Sequence, residues 1–149
     1  MVIHIELPKQ WPLKIILIHP KAPFLKSKKL IIAADCSLLI RPNIHENYKK
    51  GIPVIIGCPL LENPDAIMRK LELILSNKEP KEIDVISMEV PCCQALHMMI
   101  QQLLAKIKES KHNIKHYIVR VFTGDIEVWK PGVVDESMIM LERIAHGHG

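Results

Sequence analysis

The stretch Leu30-Ile31-Ile32-Ala33-Ala34-Asp35-Cys36 decides the reading of this chain: five apolar residues without alternation, then a carboxylate, then a thiol. An apolar run this short, bounded by Lys28-Lys29 before it and Asp35 after it, reads as a strand covered on both faces. Such strands belong to parallel sheets, whose crossover connections lay helices over each face. Four further runs have the same character: Leu13 to Ile18, Val54 to Ile56, Ile83 to Met88 and Tyr117 to Phe122.

Helical patterns lie between them. Asn63-Pro64-Asp65 supplies an N-cap and a proline at the first helical position, and Ile67, Leu71, Ile74 and Leu75 recur behind it at helical spacing. Pro91 opens a second helix whose stripe is Cys93, Leu96, Ile100, Leu103, Leu104 and Ile107, ending near the cations Lys108 to Lys111. A short helical piece is expected from His45 to Lys50, after Arg41-Pro42-Asn43, and a last helix from Asp135 to Ile144. Thr123-Gly124-Asp125 reads as a tight turn into Ile126-Glu127-Val128, an antiparallel edge strand. The expected fold class is α/β: a three-layer sandwich around a mainly parallel sheet of about five strands with an antiparallel edge strand. One domain is expected over residues 1–145, followed by a flexible tail, His146-Gly147-His148-Gly149.

Hydrophobic residues make up 48% of the chain and charged residues 24%, which excludes a disordered chain and favours a packed core. No apolar run reaches the roughly 18 residues of a membrane-spanning helix, and Met1-Val2-Ile3-His4-Ile5-Glu6 lacks a basic leader segment. The expectation is a cytoplasmic protein without membrane contact. The net charge is +4, but the lysines are spread along the chain and aromatic residues reach only 4%, so no nucleic-acid partner is expected.

The chemistry falls to the cysteines. Cys36 follows the run ending at Ala34, Cys58 follows Val54-Ile55-Ile56-Gly57, and Cys92-Cys93 follow Met88-Glu89-Val90-Pro91. All four therefore stand just past the carboxyl ends of expected strands, the edge at which open α/β sheets bind ligands. Four thiolates match the ligand set of an iron–sulfur cluster, with zinc or copper as alternatives. No C-x-x-C pair is present, so position rather than spacing carries the expectation. The competing reading is a set of small buried thiols, or disulfides where the cell interior tolerates them. Pro91 places the adjacent pair at a helix N-terminus, where thiols are expected to ionise more easily. His97, four residues after Cys93, and His45 are candidate extra ligands. Met88, Glu89 and Asp35 are candidates for supporting contacts, each with a plainer reading as core or surface. Nucleophile elbow, phosphate-binding glycine loop and dinucleotide fingerprint are all missing from the sequence.

Gln10-Trp11-Pro12, Ala22-Pro23-Phe24-Leu25, Ala33-Ala34-Asp35-Cys36, the His45 segment, Ile56-Gly57-Cys58-Pro59 and Met88-Glu89-Val90-Pro91-Cys92-Cys93 follow one another in order. Together they resemble the C-terminal region of small prokaryotic proteins described as four-iron four-sulfur (4Fe-4S) ferredoxin-type binding proteins, over roughly residues 10–104. In that family a ferredoxin module with C-x-x-C repeats precedes this region; here that module is expected to be absent. Gln94-Ala95 stand where the family pattern has glycines, and Leu60-Leu61-Glu62-Asn63 replaces a run richer in charge. The resemblance implies a shared α/β domain and cysteine constellation. The leading expectation is a metal- or iron–sulfur-binding protein engaged in electron transfer or metal handling with a protein partner. A dithiol oxidoreductase or sulfur-transfer enzyme using Cys92 and Cys93 is the first alternative, a non-catalytic interaction subunit the second. Homo-oligomer formation stays open.

Overall fold

A computed structural model describes residues 13–107 and 111–146. Trp11, Pro12, the cations Lys108 to Lys111 except Lys111, and the tail beyond His146 lie outside the described residues. Six strands form one sheet: β1 Leu13–Lys14, β2 Lys29–Ala34, β3 Val54–Gly57, β4 Glu82–Met88, β5 Asn113–Val119 and β6 Ile126–Val128. Their spatial order is β1-β3-β2-β4-β5-β6. The first five run parallel, and β6 pairs antiparallel with β5, with Ile118 opposite Glu127. The expected parallel sheet and its antiparallel edge strand are both present.

Four α-helices accompany the sheet: α1 Asp35–Ile40, α2 Pro64–Leu75, α3 Pro91–Lys106 and α4 Glu136–His146. The apolar run of β2 splits by parity between two cores. Leu30, Ile32 and Ala34 face α2 and α3 together with Ile55, Ile83 and Val85, against Ile67, Leu71, Leu96 and Ile100. Ile31 and Ala33 face the other way with Val54, Ile86 and Val119, covered by Leu38, Ile40 and Ile44 of α1 and the 3₁₀ helix Pro42–Lys50. Both faces of a central strand are thus dry, which is why its sequence does not alternate. The Asn63 carboxamide caps α2, accepting from the Asp65 and Ala66 amides at 2.9 and 3.2 Å.

Two expected strands differ. The run from Leu13 pairs only through Lys14; the chain then turns into a 3₁₀ helix, Ile15–Leu17, that buries Ile15 and Ile18 in the α2 side of the core. The strand expected at Tyr117 to Phe122 begins earlier, at Asn113, and ends at Val119. Its first half alternates exposed Asn113 and Lys115 with half-buried Ile114 and His116, so it lacks the continuous apolar signature of the inner strands. Arg120 to Asp125 make the turn instead, closed by Gly124 N–H to the Arg120 carbonyl at 2.8 Å; Gly124 supplies the positive φ of 74°.

The strand order places the reversal between β2 and β4. From β2 the chain goes to β3 by way of α1 and the 3₁₀ helix, then returns through α2 to β4 on the far side of β2. Connections leaving neighbouring strands on opposite faces open a crevice beyond the carboxyl ends of those strands.

Candidate functional site

The cysteines stand at that edge of the sheet. Cys36 sits in the first turn of α1 beyond β2, Cys58 just past β3, and Cys92 and Cys93 in the first turn of α3 beyond β4. All four are free thiols; Cys93 is buried and the other three are half-buried. Cys93 lies within electrostatic reach of Cys92, Cys36 and Cys58. Gly57 belongs to this arrangement through its missing side chain: a Cβ there would come within 3.0 Å of Ile15 Cδ1, so glycine lets the turn before Cys58 close against the core.

The expectation that the helix N-terminus would ease ionisation of the pair is not met. Burial raises the pKa of Cys92, an effect that the neighbouring Cys93 side chain and backbone only partly oppose. Burial raises Cys93 further, and the neighbouring Cys92 and Cys36 add to it. Desolvation outweighs the helix dipole because the thiols pack against the core beneath α3.

Carboxylates complete the site. Lys14, at the end of β1, bridges Asp35 beside Cys36 and Glu62, and Glu62 Oε1 accepts the Cys58 amide at 3.3 Å. Burial alone would lower the Lys14 pKa, but the two carboxylates raise it, so the ammonium stays charged. One oxygen of each carboxylate, Asp35 Oδ1 and Glu62 Oε2, is buried without a hydrogen-bond partner. Glu142 of α4 adds to the rise in the Cys92 pKa. A single ammonium thus serves two carboxylates beside four thiols. Among the described residues, no three His, Cys, Asp or Glu side chains are already gathered around one point fit to hold a metal ion.

The remaining candidates go elsewhere. His97 is fully buried, with Nε2 at 2.8 Å from Ser87 Oγ and Nδ1 at 2.9 Å from His116 Nδ1, so both ring nitrogens are engaged and neither is left for a metal beside the thiols. Trp129 stacks on it at 4.6 Å and donates to Gln94 Oε1 at 3.0 Å. Glu89 is buried and turned toward the β5 end, accepting from Arg120 Nη1 at 2.6 Å and from the Val121 amide at 2.9 Å. Met88 packs on the α2–α3 core. His45 falls in the 3₁₀ helix Pro42–Lys50, and its side chain lies outside the described residues. Sequence reasoning missed Lys14 and Glu62; the clue available was a lysine at one strand end and a carboxylate four residues after Cys58.

Comparison with known proteins places these features in a family context. The profile of a family described as a Rossmann-like domain matches residues 22–147. An uncharacterized protein of Archaeoglobus fulgidus is 46% identical over 142 residues, covering 94% of this chain and 97% of that protein. No solved structure matches the chain.

Proposed function

The chain belongs to that Rossmann-like domain family, and we propose that it uses the switch-point crevice to bind a soft metal centre, foremost a 4Fe-4S cluster, in electron transfer or metal handling with a protein partner. The observation carrying this reading is the donor surplus at the crevice: four thiols and two buried carboxylate oxygens without partners, neighboured by one ammonium. Thiolates crowded together repel one another, and a cation among them removes that repulsion while supplying the soft ligand match. Cys36, Cys58 and Cys92 are the ligands of this proposal, since all three reach solvent. Cys93 is buried in the core beside Cys92. A bound cluster supplies one-electron chemistry; zinc or copper(I) in the same thiols would make the chain a carrier. Lys14 holds Asp35 and Glu62 in place and offsets part of the negative charge.

Anaerobic purification followed by a visible spectrum and analysis for iron, sulfide, zinc and copper tests this. The expected result is metal bound in stoichiometric amount, lowered at least about tenfold in affinity by Cys36→Ser, Cys58→Ser or Cys92→Ser. A colourless protein that takes up neither a reconstituted cluster nor zinc nor copper(I) overturns it.

The adjacency of Cys92 and Cys93 at the start of α3 favours a second reading. In it the Cys92 thiolate attacks a substrate disulfide, releasing one substrate thiol, and Cys58 or Cys36 displaces the second, leaving a protein disulfide and two reduced thiols. Such disulfide reduction would survive chelators and vanish in Cys92→Ser.

A further inference from the structure

The loops and first turns beyond the carboxyl ends of the strands carry large apolar side chains in water. Leu39 is 79% exposed, Leu60 65%, Leu61 82% and Phe122 69%. Leu60 and Leu61 follow Cys58 directly, and Leu39 lies in the helix that Cys36 opens. Phe122 belongs to the turn after β5, which Arg41 Nη1 ties to the end of α1 through the Gly124 carbonyl at 2.7 Å. These side chains therefore share the rim that surrounds the thiols.

The charge on that rim is acidic in sum, although Lys14, Arg41 and Arg120 stand there too: Lys14 is bound to Asp35 and Glu62, and Arg120 to Glu89, Glu127 and Asp135. Asp35 and Glu62 share one lysine, and Asp65 and Asp125 stand exposed at the start of α2 and in the β5–β6 turn. The opposite end of the sheet is basic. Lys21, Lys26, Lys28, Lys78, Lys81 and Lys111 all precede strands or follow the end of α2, all are exposed, and none has an ion pair among the described residues. The net charge of +4 thus hides a separation: these lysines without ion pairs lie away from the thiols, whereas Lys14 and Arg120 at the thiol end are each held by carboxylates.

We infer that the thiol rim is a docking surface for a partner protein whose contact face is cationic around an apolar centre. Exposed leucines and a phenylalanine supply apolar contact at the centre, and the carboxylates steer a basic partner toward them. The same carboxylates repel nucleic acid and anionic lipid at this end. What crosses the interface rests on the proposed metal centre; the docking does not.

Titrating the metal-free full chain with cytochrome c, a basic electron carrier, separates the two. Amide resonances of Leu39, Leu60, Leu61 and Phe122 are expected to shift, and raising salt past a Debye length of about 10 Å or less should weaken binding. Leu60→Ser with Leu61→Ser should weaken it about tenfold, as loss of a central apolar anchor does. Lys78→Glu with Lys81→Glu should not weaken it. The leucines are exposed, so the serine variants keep their fold, verified by an unchanged far-ultraviolet dichroism spectrum. No binding at low salt, shifts confined to the lysine end, or tighter binding of duplex DNA at the rim overturns the inference. Docking without metal uptake would sink only the proposed function, and metal uptake without docking only this inference.

Discussion

Arg120 is the residue on which most of the buried charge depends. Its Nη1 donates to Glu89, its Nη2 to Asp135 at 2.8 Å, and its Nε to Glu127. Asp135 and Glu89 raise its pKa, and Arg120 in turn lowers that of Asp135. Arg120→Met would leave Glu89 buried with only the Val121 amide as partner, so a loss of about 3 kcal/mol is expected in urea unfolding. His97 carries a different liability. Burial, with His116 adding to it, lowers its pKa to about 3, and His116 is lowered by burial as well. Both rings are therefore neutral when folded but take up protons below about pH 6.5 when unfolded. The unfolded state then binds more protons, so stability falls as pH drops from about 6.5 toward the depressed folded values, by up to about 1.4 kcal/mol per pH unit for each histidine. Unfolding measured between pH 7 and pH 5, above the carboxylate range, should show this slope, and His97→Phe should reduce it. An equal slope in the variant would mean that other groups carry the acid sensitivity.

At the scale of elements, α2 is the helix most fully specified by local signals. Removing its cap with Asn63→Ala should lower stability by about 1 kcal/mol, read from the unfolding midpoint, because the Asp65 and Ala66 amides lose their acceptor. Its start at Pro64 and its buried stripe of Ile67, Leu71, Ile74 and Leu75 were legible from spacing alone. So were the inner strands β2, β3 and β4, whose two covered faces demand unbroken apolar runs. Strand β5 was not, since its first half lies near the edge and keeps polar residues in water. The location of the thiols was legible because strand ends mark where side chains converge. Their ionisation was not: the dipole at Pro91 is a local signal, whereas the burial that overrides it depends on packing across the sheet. His97 escaped for the same reason. It occupies a position on the buried face of α3, and its partners Ser87 and His116 stand ten and nineteen residues away.

Taken as a whole, the molecule is a Rossmann-like sheet that carries thiols and carboxylates at its switch-point edge, in a sequence without a phosphate-binding glycine loop. A crevice built from three separate strand ends exists only when β2, β3 and β4 are assembled, because Cys36, Cys58 and Cys92 are otherwise joined only by long stretches of chain. Any ion that bridges them therefore binds the folded state and not the unfolded one, and its binding energy appears as folding stability. Zinc, used as the probe at 100 times its dissociation constant, should raise the unfolding free energy by about 2.7 kcal/mol. In a domain of this size that corresponds to about 5–10 °C in Tm. Cys36→Ser should remove most of the rise even though Cys58, Cys92 and Cys93 remain, because a ligand from β2 is what makes the site span the switch point. A chelator should reverse the shift in the unaltered chain. If zinc instead raised Tm equally in the Cys36→Ser variant, the ion would be held by thiols local to one strand end, and the convergence of the three ends would have no part in binding it.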